Sequence, residues 1–409
     1  MSSRFDKVMA VAKKAQTCWS ILGIVLVLVL MIEAVSQGVM FFARHESPSV
    51  DPRVYADAYG SAPWVKAYYK EFHLANRLIW HPYFYWRCAP FRGEYFNIDS
   101  DGLRRTWQPE PSAMPFERPG MRVFMFGGST LWGTGARDDH TIPSRLARLF
   151  TRELKRRIEV VNFGDSGYVS TQEVVMLIRE LQRDNVPDLV IFYDGMNDTF
   201  SALQNRRAGI PQNESNRVDE FNILNYVTGG DLDRAYLSRL TKRPAACRII
   251  NAALRRLAGS PDERQAWMRG PHAPDLSSLA EDVVRLYASN LRIVQDLGKG
   301  FGFDAVFFWQ PVIFNKAKLT AYELTQMNDN MYVKDFYDLV YGRISSPALL
   351  SSLRGFHNVS DIFADRAEPL FIDLCHISEA GNEMIAARIF REVSDPVRAK
   401  LASKVRGVH

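Results

Sequence analysis

Hydrophobic and polar positions give the chain three successive rhythms. From Cys18 to Ile32 (CWSILGIVLVLVLMI) the run is apolar and uncharged; Glu33 interrupts it, and apolar residues resume through Val39-Met40-Phe41-Phe42. About 20 helical residues span a bilayer, so Cys18 to Ala43 suffices if Glu33 lies near an interface or faces a partner. Arg4, Lys7, Lys13 and Lys14 precede the run. The positive-inside rule then leaves 1–17 as a cytoplasmic tail, 18–43 as a transmembrane anchor, and everything after Ala43 on the far side. A cleaved signal peptide ending near Ala34-Val35-Ser36 is the rival, but the apolar stretch runs on past that point.

Residues 44–118 follow as an extension in which aromatics gather between Trp64 and Tyr95. Tyr83-Phe84-Tyr85-Trp86 could form a carbohydrate platform, though packing against the main domain is the commoner use of such residues. After Pro119-Gly120 the pattern alternates. Apolar runs at Arg122–Phe126, Ile158–Asn162, Leu189–Tyr193, Asp304–Phe308 and Leu370–Asp373 predict strands. Periodic segments at Thr141–Arg157, Thr171–Gln182, Leu276–Leu297 and Glu379–Val393 predict helices, with looser helical character over 318–364. Uninterrupted apolar strands between amphipathic helices specify a buried parallel sheet with helices on both faces. The domain is expected over 119–400, with an insertion or cap at about 200–275, where the rhythm fails.

Composition narrows the classes. Hydrophobic residues make up 47% and charged residues 24%, which excludes disorder over most of the chain. The net charge of +5 is spread out, with no basic stripe interleaved with aromatics, so nucleic acid is not an expected partner. Cys18, Cys88, Cys247 and Cys375 form no CxxC pair and have no histidines at zinc spacing. Cys88 and Cys247 could pair in an oxidising compartment or remain buried thiols. Asp165 and Asp198 lack further ligands at suitable spacing and read as turn or supporting groups; no metal or cofactor is expected.

Four predicted strands end in loops whose polar groups suit acyl transfer. Ser129 stands at a Gly-Gly turn entering a helix, exposed, with its own amide available to a developing oxyanion. Gly167 offers a second amide, and Asn197 a side-chain donor. Asp373 and His376 share the last loop, where the carboxylate can fix the imidazole so that its other nitrogen takes the serine proton. Each residue alone has an ordinary reading as a cap, turn or surface group. Their joint placement on one sheet edge favours catalysis. Cys375 is expected to point away from His376 if the segment is extended.

The blocks FMFGGSTLWG, NFGDSGYVSTQ, YDGMND and DLCHISEAGN resemble, in order, the four signature blocks of the SGNH (GDSL-like) hydrolases. The resemblance runs from about Met121 to Ala387, apart from the insertion. It implies a three-layer α/β/α sandwich with a mainly parallel sheet. It implies Ser129 as nucleophile, His376 as base, Asp373 as the third triad member, and Ser129, Gly167 and Asn197 as the oxyanion hole. Two positions depart from the pattern: Gly128 stands in place of the name-giving Asp, and Ile377 follows the histidine where Pro is frequent. The expected activity is an extracytoplasmic serine esterase acting on acyl, chiefly acetyl, esters of a polysaccharide or envelope glycan. The alternatives are an O-acyltransferase working with a multi-span membrane partner, and a non-catalytic glycan-binding or scaffold protein on the same fold.

Overall fold

The structure, a computed structural model, describes residues 2–45, 50–109, 120–214, 217, 218, 221 and 275–406. The chain divides into two compact units, one of residues 1–50 with 217–267, the other of 51–216 with 268–409. In the first, helix α1 (Ser2–His45) contains a 21-residue apolar stretch, Trp19–Val39, long enough to cross a membrane. Gln37 Nε2 donates to Glu33 Oε1 at 2.9 Å, one helical turn away.

In the second unit the extension comes first: α2 (Val65–Ala75), the hairpin β1 (Leu78–His81) and β2 (Tyr85–Cys88), and the short pair β3 (Phe91–Arg92) and β4 (Asn97–Ile98). The sheet domain follows with β5 (Met121–Gly127), α3 (Ser129–Trp132), α4 (Ile142–Leu154), β6 (Ile158–Asn162), α5 (Ser170–Leu181), β7 (Leu189–Asp194) and α6 (Met196–Asn205). After the undescribed residues come α7 (Leu276–Phe301), β8 (Asp304–Trp309), α8 (Ala321–Asp329), α9 (Met331–Ile344), α10 (Pro347–Ser352), β9 (Phe356–Asn358) and α11 (Glu379–Arg406).

Five strands pair in the order β6-β5-β7-β8-β9, all parallel. Every residue of β7 (LVIFYD) is buried, as expected of a strand covered on both faces. Helix α4 packs on α11 and β6, whereas α7 packs on α5, α6, α9 and β8, so two groups of helices flank the sheet. The sequence explains the helices locally. Thr141 caps α4 by accepting from Ser144 N, Pro143 suits its first turn, and Ile142, Leu146 and Phe150 fall on one buried face. Asp275 caps α7 through the amides of Ser277 and Ser278.

Two expectations are corrected. Leu370, Phe371 and Ile372 are buried, but Leu370–Asp373 is not a sheet strand; it makes only an isolated antiparallel bridge, Phe371 to Ile377. A side chain takes the place of a neighbouring strand, since Glu323 Oε1 accepts from Leu370 N (2.9 Å) and Phe371 N (3.0 Å). The fifth strand is instead Phe356–Asn358, inside the region read as helical. Three residues are too few to show an alternation. Of the expected insertion, residues 222–274 lie outside the described residues, and 201–205 complete α6. Cys247 also lies outside them. Cys88 carries a free, buried thiol.

Candidate active site

Because the strands are parallel, the loops after β5, β6 and β7 leave the sheet at one edge. β5 ends against β7 with Gly127 opposite Tyr193. A Cβ on Gly127 would lie 2.7 Å from the Tyr193 carbonyl oxygen, so the strand can turn there only without a side chain. Ser129 opens the short helix α3, which Gly133 ends in a left-handed conformation (φ 104°).

Ser129 Oγ lies 2.7 Å from His376 Nε2, and His376 Nδ1 lies 2.7 Å from Asp373 Oδ2. Asp373 Oδ1 accepts from the amides of Cys375 (3.1 Å) and His376 (2.8 Å), which curls the chain so that aspartate and imidazole face each other. Burial alone would raise the Asp373 carboxyl; His376, and then Arg53, reverse that and hold it well below the usual carboxylate range. The curl also corrects the expectation for Cys375. Its sulfur is not directed away but lies 3.8 Å from His376 Nδ1. Burial pushes that thiol well up, so it stays neutral. Asp373, Cys375 and His376 place one donor atom each within 4.8 Å of one another, but both imidazole nitrogens are already engaged with Asp373 and Ser129.

Of the predicted oxyanion groups, Asn197 lies beside Gly128, the residue before the serine. Among the described residues, the amides of Ser129 and Gly167 have no backbone or side-chain acceptor. Gly167 is left-handed (φ 76°). Asn197 Nδ2 donates one hydrogen to Tyr168 O at 2.8 Å and keeps a second. A Cβ on Gly128 would lie 2.0 Å from Asn197 Nδ2. The departure at Gly128 therefore leaves the space in which the asparagine amide sits.

Groups without a local sequence signal hold these loops. Arg104, 1% exposed, donates to the carbonyl oxygens of Trp132, Gly133, Tyr95 and Ala136 and pairs with Asp138 at 2.8 Å. Its guanidinium lies 4.3 Å from the Phe96 ring centroid and 4.7 Å from that of Trp132. The extension's aromatics thus serve as core: Tyr68, Tyr69, Phe72 and Phe96 cluster with Trp132 of the serine helix and Ile372 of the histidine loop. Asp165, fully buried, accepts from Ser166 N (2.7 Å) and Cys88 N (3.2 Å) and faces Arg87 at 3.3 Å. Trp86 Nε1 donates to Ser166 O at 2.7 Å, fastening the hairpin to the loop that carries Gly167.

In the first turn of α6, Asp198 accepts from Ser170 Oγ (2.6 Å) and is pushed up to about 6 by burial. Glu173 and Asp194, also buried, rise well above the carboxylate range, through burial first and then through their acidic neighbours. Groups with raised folded pKa values stabilise the fold fully below the unfolded value, near 3.8 for Asp198, and lose that contribution as pH rises through the folded value. Urea unfolding of the full chain in detergent is therefore expected to show stability falling between about pH 4 and pH 7, by on the order of a few kcal/mol. Stability that instead rises across this window would mean these carboxyls are ionised throughout.

A parallel sheet flanked by helices, with a serine after the strand β5 in hydrogen-bonded series with a histidine and an aspartate of a later loop, is the arrangement of an SGNH-type serine hydrolase. The profile of the GDSL-like Lipase/Acylhydrolase family matches residues 123–389, and the chain belongs to that family. None of the curated proteins compared matches it in sequence. Among solved structures it is similar to the acetyl xylan esterase AlAXEase (13% identity, TM-score 0.35, covering 67% of this chain and 100% of that one). It is also similar to the lipase Lip_vut3 from a goat rumen metagenome (12%, 0.35, 66% and 97%). A third is Axe2, an acetylxylan esterase from Geobacillus stearothermophilus (14%, 0.34, 67% and 94%).

Proposed function

We propose that the chain is a membrane-anchored serine esterase that removes short acyl groups, acetyl first among them, from a glycan outside the cytoplasm. The observation that carries this reading is Ser129 Oγ at 2.7 Å from an imidazole backed by Asp373. In this mechanism His376 Nε2 takes the Ser129 proton as Oγ attacks the ester carbonyl carbon. The carbonyl oxygen becomes an oxyanion beside the Ser129 and Gly167 amides and the second hydrogen of Asn197 Nδ2. Collapse breaks the bond to the leaving alcohol, which receives the proton from His376. Water, deprotonated by the same imidazole, then releases the acid and restores the serine.

Arg4, Lys7, Lys13 and Lys14 ahead of the apolar stretch support a cytoplasmic N-terminus and an extracytoplasmic site. Trp80 and Tyr83, 68% and 69% exposed on the hairpin joined to Ser166, support a sugar substrate, since flat aromatic faces suit the apolar faces of sugar rings.

Acyl transfer to a sugar hydroxyl, with a multi-span membrane partner supplying the acyl group, is the second reading. The low exposure of Ser129 and Asn197, 9% each, favours it by limiting water. Incubating the full chain with an acetylated xylo-oligosaccharide, with and without an unacetylated sugar, separates the readings. Acetate release that depends on Ser129 supports the esterase, and acetyl appearing on the second sugar supports transfer. A folded protein that binds the glycan without either is the scaffold alternative. Gly128→Ala is expected to displace the Asn197 amide and lower kcat by about 100-fold, the cost of one oxyanion donor, with the melting temperature nearly unchanged. Parental kcat in that variant would remove Asn197 from the oxyanion site.

A further inference from the structure

Asp373 has a second neighbour, and it comes from outside the family-matched residues. Asp51 and Arg53 lie at the start of the extension, where Asp51 caps the turn Pro52–Tyr55. Arg53 Nη1 is 3.6 Å from Asp373 Oδ2, the oxygen that faces His376 Nδ1. The guanidinium is held firmly. Nε and Nη2 bind Asp51 Oδ1 (3.0 Å) and Oδ2 (2.8 Å) as a fork, and Asp51 Oδ1 also accepts from Arg53's own amide at 3.0 Å. The ring centroids of Tyr69 and Phe72 lie 5.1 and 4.9 Å from it. His73 Nε2 lies 3.4 Å from Asp51 Oδ2, and Tyr322 OH donates to Ile372 O at 2.9 Å beside the aspartate.

Such an anchored cation does two things to a half-buried aspartate. It favours the ionised form, and it fixes which oxygen faces the imidazole. Asp51 offsets most of the added charge, so the pair acts chiefly by orientation. We infer that Arg53 is a positioning residue for the reaction: the extension supplies an Asp51–Arg53 pair that orients Asp373, and through it His376. The inference rests on reading Ser129, His376 and Asp373 as the hydrolytic triad. It makes the extension a working part of the site, since Tyr69 and Phe72 form the shelf on which the guanidinium lies.

The test compares Arg53→Gln and Arg53→Lys with the full-length parent in detergent, using p-nitrophenyl acetate, with Ser129→Ala as the blank. Gln keeps a donor without charge, and thermal melts by circular dichroism check that both variants fold. The charged and titratable groups facing Arg53 are Asp51, His73, Tyr59, Tyr68, Tyr69, Tyr322, Asp373 and Cys375; all are unchanged in both variants. Arg53→Gln is expected to lower kcat by about 10- to 100-fold with KM within about twofold, the scale of a misplaced catalytic group. The acid limb of its kcat–pH profile should move to higher pH, and Arg53→Lys should recover most of the loss. Parental kcat in Arg53→Gln would overturn the inference alone. So would equal losses in Gln and Lys with an unmoved pH profile, or, where the Gln variant unfolds, a folded Lys variant whose kcat is at least about tenfold down with an unmoved pH profile. A parent with no Ser129-dependent turnover would overturn the triad reading, and this inference with it.

Discussion

Replacing His376 with Ala is expected to lower kcat on p-nitrophenyl acetate by about 10⁴-fold or more, with little change in KM. Ser129 Oγ is a weak nucleophile unless a base accepts its proton, and in the proposed mechanism His376 Nε2, 2.7 Å away, is that base. Ser129→Ala should lose at least as much. The informative variant is the double one. The two groups act on one proton, so Ser129→Ala/His376→Ala should be no slower than either single change. Asp373→Asn should cost about 10⁴-fold, because an amide can present a hydrogen to His376 Nδ1 and stabilise the wrong tautomer. Steady-state kinetics on purified variants checks all four. Additive losses in the double variant would show that serine and histidine work independently.

The second large effect is on stability. Glu323→Ala is expected to destabilise the protein by about 3–5 kcal/mol, because it leaves an ion pair without one partner in the interior. Both Lys316 and Glu323 side chains are 0% exposed, and Lys316 Nζ donates to Glu323 Oε2. The carboxylate also accepts from the amides of Thr320, Leu370 and Phe371. It therefore closes the first turn of α8 and holds the loop that leads to Asp373. A paired apolar replacement, Lys316→Met with Glu323→Leu, removes the stranded charge but leaves two buried amides without an acceptor. It should remain clearly less stable than the parent. Glu323→Gln, which keeps an acceptor oxygen, should fall between the parent and Glu323→Ala. Chemical unfolding at pH 7 checks this order. A paired apolar variant as stable as the parent would mean the loop does not depend on the carboxylate.

The sequence made the sheet legible where burial on both faces wrote itself into apolar runs, as in β5, β7 and β8. It made the site residues legible because each of four loops carries its polar group immediately after a strand or apolar run. Ser129 and His376 could thus be matched although 247 residues separate them. Short or substituted pairing was not legible. Phe356–Asn358 pairs through its backbone with too few side chains to mark it, and Leu370–Asp373 looks like a strand although Glu323 satisfies its amides. Buried polar groups of the extension were hidden for the same reason. Arg104 and Arg87 are buried because distant carboxylates and carbonyl oxygens meet them, and nothing beside them in the chain records that; Asp51 stands two residues from Arg53, but nothing local records that the pair meets Asp373. Cys375 was misdirected because the loop's curl depends on an aspartate accepting two amides rather than on strand geometry.

The most direct measurement is labelling of the full-length protein with a fluorophosphonate, followed by peptide mapping. The probe loses fluoride to an activated serine and leaves a stable phosphonyl adduct. The adduct is expected on Ser129, and it should disappear in His376→Ala while the protein stays folded. A folded parent that takes no label, or carries it at a residue other than Ser129, would contradict the assignment of Ser129 and His376 as nucleophile and base.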